Sequence, residues 1–144
     1  MKRFLIFGLL FLLLFSFTAC SKGDPAACVY VPPFEGEAGI KVGVICSNEN
    51  KRLKVLTDML EDCTTELGSP DLSEVAYLIE VVTHDSEGNI TDPSLIYVWF
   101  HEGEVWFSVN SKYSEMEYIH KSNAVTEKKL TALFDKIAKE YTGG

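Results

Sequence analysis

Hydrophobic positions change period along the chain, and each change marks an element. Ile40, Val42, Val44 and Cys46 alternate with Lys41, Gly43 and Ile45, the two-residue period of a strand. Past Asn50 the period lengthens. Leu53, Leu56, Leu60, Cys63 and Leu67 recur at spacings of three and four, one stripe of a helix that Ser47–Asn50 can cap and Gly68 and Pro70 can stop. Val75–Thr83 is apolar on both faces apart from Glu80 and reads as an interior strand. Asp85–Ser94 is a polar loop with a turn at Glu87-Gly88-Asn89. Leu95–His101 and Glu104–Asn110 alternate around Glu102-Gly103 as a hairpin. Met116–His120 predicts a short strand. Thr126 predicts the cap of a last helix, with Val125 stapled to Leu130, and Leu130, Leu133, Phe134, Ile137 and Tyr141 as its buried face. Near the start, Val29–Val31 makes a short strand that Pro32-Pro33 ends, and Phe34–Gly39 reads as loop.

Two amphipathic helices need one surface to cover. The pattern therefore predicts an α+β fold: an antiparallel sheet of about four strands with two helices packed on one face. The other sheet face is expected to be partly solvated.

The hairpin predicts its own register. A two-residue turn at Glu102-Gly103 pairs Phe100 with Val105, Val98 with Phe107 and Ile96 with Val109, all on one apolar face. Trp99 then pairs with Trp106, with Tyr97 on the same second face. If the helices cover the first face, Tyr97, Trp99 and Trp106 form a candidate binding surface for a protein partner or for sugar rings that stack on indole. A bulged three-residue turn would shift the pairing by one and turn Trp106 toward Val98 and Phe100.

The amino-terminal segment belongs to a different physical regime. Lys2 and Arg3 precede a twelve-residue run, Phe4–Phe15, with no charge in it, too short to span a membrane, which takes about 20 apolar residues. Phe17-Thr18-Ala19 then leads directly into Cys20. A charged end, a short apolar core and a small-residue cleavage site make a secretory signal. With the cysteine placed after Thr-Ala, residues 1–21 resemble the lipobox signal of small bacterial lipoproteins, although Phe17 stands where an aliphatic residue is usual. That resemblance implies removal of residues 1–19, attachment of diacylglyceryl and acyl (palmitate-type) chains at Cys20, and lipid anchoring on the exported side of a cell membrane or outer membrane. A plain secretory signal, cut after Ala19 without lipid, is the rival reading. The expected organisation is signal peptide 1–19, lipidated Cys20 and tether 20–27, and a single domain 28–144.

Charge sharpens that picture. Lys2 and Arg3 leave with the signal, so 11 basic residues face 21 acidic ones and the formal charge moves from −8 to −10. Such a balance repels nucleic-acid phosphates and argues against a body lying flat on anionic lipid. Nucleic acid is excluded as a partner, which leaves the membrane, through Cys20, and an envelope protein or polymer.

Of four cysteines, lipid takes Cys20, so Cys28, Cys46 and Cys63 cannot all pair. A helix running back along strand 40–46 places Cys63 roughly 20 Å from Cys46, outside bridging range. Cys28–Cys63 is the expected disulfide, with Cys46 a buried thiol. A hairpin between Val29–Val31 and Ile40–Cys46 would instead set Cys28 opposite Cys46.

Catalytic patterns do not emerge. His84, His101 and His120 fall near strand ends without zinc-type spacing, and no Cys-x-x-Cys or Gly-x-Ser-x-Gly occurs. No metal, cofactor or enzymatic activity is expected. The reading is a non-enzymatic, membrane-anchored lipoprotein of the cell envelope with an interaction domain. The alternative is an inhibitor or immunity protein that plugs an exported hydrolase with the loop Asp85–Ser94.

Overall fold

The computed structural model describes residues 23–35, 38–68, 71–82, 84–89, 91, 93–111 and 118–143. They form β1 (Pro25–Glu35), β2 (Ala38–Cys46), α1 (Asn50–Glu61), β3 (Cys63–Leu67), a 3-10 turn (Leu72–Glu74), β4 (Tyr77–Val81), β5 (Ser94–His101), β6 (Glu104–Ser111), β7 (Tyr118–Thr126) and α2 (Glu127–Tyr141). The strands make one antiparallel sheet in the order β2-β1-β4-β5-β6-β7-β3. The α+β class with two helices holds; the sheet has seven strands rather than about four.

The extra strands come from segments whose local signals are weak. Pro32-Pro33, joined by a cis peptide bond, does not end β1; a shifted register carries the strand on until Glu35 pairs with Ala38. β1 also starts earlier than expected: Pro25 pairs with Cys46, and Ala27 with Ile45 and Val81. Pro25–Ala27, assigned to the tether, are therefore strand. Cys63–Leu67, read as the last turns of the first helix, pairs with Ser122–Tyr118 as β3. The helix ends at Glu61, and the Asp62 carbonyl accepts from the Asn123 N–H at 2.8 Å. Adjacent β-branched Thr64 and Thr65 fit an extended chain better than a helix, and β7 supplies a partner that the local pattern does not reveal.

Alternation sorts the sheet into two faces. Ala27, Val29, Ile45, Ile79, Ile96, Val98, Val105 and Phe107 form one core with Leu56 and Met59 of α1 and Leu130, Phe134 and Ile137 of α2. Both helices thus cover the same face. They cross it in opposite directions. α1 leaves the end of β2 and ends over β7; α2 leaves β7 and ends over β2. Arg52 near the start of α1 ties them together, donating to both carboxylate oxygens of Glu140 at 2.7 Å. Thr126 caps α2 as expected, its Oγ1 accepting from the Lys129 N–H at 3.3 Å.

In β2 the core-facing residues are Gly43 and Ile45, the parity opposite to the more apolar one. The reason is proximity. A methyl group at Gly43 would collide with Ile137 Cγ2, so α2 approaches β2 more closely than any side chain there would allow.

Cysteine placement differs from expectation. Cys28 sits in β1, second in the sheet order, and Cys63 in β3, the last strand. At roughly 4.8 Å per strand these are far outside disulfide reach, and both are free thiols. The expected Cys28–Cys63 bridge is not formed. Cys63 lies at the start of a strand, its Sγ 3.4 Å from the Leu60 carbonyl. Cys46 is buried in β2. Cys20, with the signal segment, lies outside the described residues.

Candidate functional site

The hairpin β5–β6 builds the second face of the sheet. Its turn residues, Glu102 and Gly103, have φ of 51° and 78°, the positive pair of a type I′ turn, which matches strand twist and keeps the loop to two residues. The register follows: Phe100 opposite Val105, Val98 opposite Phe107, Ile96 opposite Val109 and Trp99 opposite Trp106. The helix-facing side of the hairpin is buried through Ile96, Val98, Val105 and Phe107.

The opposite side is less open than expected. Trp99 is buried at 8% exposure. Tyr97 and Trp106 are half-buried. Leu78, Leu95 and Ser108 on the same side are buried. Within the candidate surface the expected Trp99–Trp106 pairing forms, with Trp99 as floor and the partly exposed Tyr97 and Trp106 as rim. Trp99 stands between Trp106, its cross-strand partner, and the Leu78–Tyr97 pair diagonal to it. Neighbours this large on adjacent strands reach one another and cover the central indole.

Sheet order adds residues that the hairpin alone does not show. One row runs Trp99, Trp106, Lys121, Thr64 across β5, β6, β7 and β3. The next runs Tyr30, Leu78, Tyr97, Ser108 across β1, β4, β5 and β6. The Ser108 hydroxyl donates to the Tyr118 carbonyl at 3.0 Å. Lys121 Nζ lies 3.6 Å from Glu104 Oε1 beside Trp106. Trp106 Nε1 is buried and has no hydrogen-bond partner among the described residues, so this side of the indole carries an unused donor there. Burial pushes the Tyr30 hydroxyl up to about 12, with the Glu80 carboxylate and Cys28 adding to the shift. Aromatic rings, one lysine and one acid at a sheet face can stack on planar or sugar-like groups and orient them by charge. They contain no nucleophile–base pair.

The histidines do not converge. His84 and His101 are exposed. His120 packs on the helix-facing side, stacked on Phe107 with ring centroids 5.0 Å apart, and its Nδ1 is 2.8 Å from Thr65 Oγ1. Burial holds its pKa below the ordinary histidine value. Among the described residues no cluster of three or more His, Cys, Asp or Glu side chains could hold a metal ion, and no helix is long and apolar enough to cross a membrane.

The polar loop has a built tip. The Asp85 carboxylate accepts from the Glu87 and Asn89 N–H groups at 2.9 Å, and the Asp85 N–H donates to the Asn89 carbonyl at 2.9 Å. These bonds favour the ionised form and hold the Asp85 pKa below the usual carboxylate range.

Compared with known proteins, the chain matches no family model, no curated protein and no solved structure.

Proposed function

We propose that this chain is an exported lipoprotein, held to a cell membrane or outer membrane by lipid on Cys20, whose α+β body is a non-enzymatic interaction domain. The observation that carries the anchor is the sequence Phe17-Thr18-Ala19-Cys20 behind a charged, apolar leader. Two or more acyl chains suffice for stable anchoring, since each buried methylene contributes about 0.8 kcal/mol. Cys20→Ser in the full chain should move the protein from the membrane fraction to the soluble fraction and abolish incorporation of a palmitate analogue. Unchanged membrane retention would contradict the anchor.

The interaction surface is the rim of the second sheet face, Tyr97 and Trp106 over Trp99, with Tyr30 and Lys121 beside them. Its ligand is an envelope protein or polymer. Replacement of Trp106 should weaken capture of that ligand from detergent-solubilised envelopes while the fold is kept.

One observation favours a competing reading. The self-bonded tip at Asp85–Asn89 favours the inhibitor or immunity role, because a pre-ordered loop loses less entropy on insertion. An inhibitor should form a stoichiometric complex with an exported hydrolase that survives gel filtration and is lost with Asp85→Ala.

A further inference from the structure

The first described residues already belong to the fold. Gly23 packs against Ser47 and Asn48, and the Asp24 carbonyl accepts from the Ser47 N–H at 2.7 Å. Only Ser21 and Lys22 separate Cys20 from Gly23. Three residue steps reach roughly 10 Å at full extension, much less than the breadth of the domain. The corner that carries Gly23 therefore stays at the lipid surface whenever Cys20 is anchored.

That corner is defined by several independent contacts. It holds the end of β2, the start of α1 and the end of α2. The Cys46 N–H donates to Glu49 Oε2 at 2.7 Å. Arg52 is 3.1 Å from Glu49 and 2.7 Å from Glu140. Lys51 and Lys139 are exposed beside these residues, and Tyr141 is 41% exposed. Lysine and tyrosine are the side chains suited to a headgroup layer. The other end of α2 lies at the hairpin tip, where the Glu127 N–H donates to the Gly103 carbonyl at 3.0 Å. α2 has 15 residues, so the tip stands roughly 22 Å from the membrane corner along the helix.

We propose that the short tether orients the domain: the β2–α1–α2 corner, with Lys51, Lys139 and Tyr141, is a lipid-headgroup contact surface, and the Glu102-Gly103 hairpin tip points away from the membrane. This rests on the reading of Cys20 as a lipid anchor. The excess of acidic residues does not oppose it, because charges beyond about 8 Å from the surface are largely screened at physiological salt.

Lysine acetylation, read residue by residue by mass spectrometry, tests it. The full chain and a variant with a long Gly/Ser linker between Lys22 and Gly23 are placed on phosphatidylcholine vesicles containing a minority of phosphatidylglycerol. Lys51 and Lys139 should react several-fold more slowly in the native chain than in the linker variant. Lys128 and Lys129, exposed in the first turn of α2, should react equally in both. Equal ratios at all four lysines, or slowing at Lys128 and Lys129, would overturn the orientation. Failure of the native chain to float with the vesicles would overturn the anchor itself, a separate result.

Discussion

The two faces of the sheet are built from the same alternating strands and reach different ends. On one face, Val98, Val105 and Phe107 meet the apolar stripes of α1 and α2 and close into a continuous core. On the other, Leu78, Leu95 and Trp99 are buried while Tyr97 and Trp106 stay half-exposed, and a buried indole nitrogen has no partner among the described residues. The first face is optimised for packing. The second keeps polar functions at its aromatic rim. Alternation alone creates both faces; the helices decide which becomes core.

The comparison breaks most easily at Phe107 and Phe134. Phe134→Ala should cost about 3–5 kcal/mol, the range for a buried aromatic removed from a core, read as a lower urea midpoint at unchanged slope. A loss below 1 kcal/mol would mean that α2 does not close this face. Gly43→Ala comes next. Its methyl group must displace Ile137, and overpacking of this kind costs about 1–3 kcal/mol. A neutral substitution would show that α2 sits further from β2. Trp106→Phe should cost less than either, under about 1 kcal/mol, because lost contact area is offset by removal of an unpaired buried donor. A cost as large as that of Phe134→Ala would make the second face a core like the first.

The smallest effects separate the faces by pH. His120 lies on the helix side with its pKa lowered by burial from 6.5. Below that value the unfolded chain takes up the proton first, so stability falls on acidification through this range. Tyr30 lies on the aromatic side with its pKa raised from 10.0 to about 12. Between these values the unfolded chain loses the proton while the native state keeps it, so stability falls as pH rises. Tyr77, also raised by burial, acts with the same sign from the helix side. His120→Gln should flatten only the acid limb; Tyr30→Phe should remove only its own share of the alkaline limb.

Much of this architecture was legible where neighbours in sequence are neighbours in space. Hairpin β5–β6 is such a case: its alternation and Glu102-Gly103 turn specify every pair from Ile96–Val109 to Phe100–Val105. Thr126 is another, because a cap is local. β3 was not legible, since Leu60, Cys63 and Leu67 keep helical spacing and only β7 makes them strand. Strand order was not legible either, and with it went Tyr30, Leu78 and Lys121, which share the second face through long-range pairing. The failed Cys28–Cys63 bridge has the same origin: strands β1 and β3 lie near opposite edges of a sheet whose width local patterns do not reveal.

Above all these stands the anchor. Intact-mass and peptide mass spectrometry of the protein extracted from its native membrane tests it most directly. The account predicts a chain beginning at Cys20, with residues 1–19 removed and the mass of diacylglycerol on the Cys20 sulfur. A chain beginning at an unmodified Cys20, or one that retains Met1–Ala19, would contradict it.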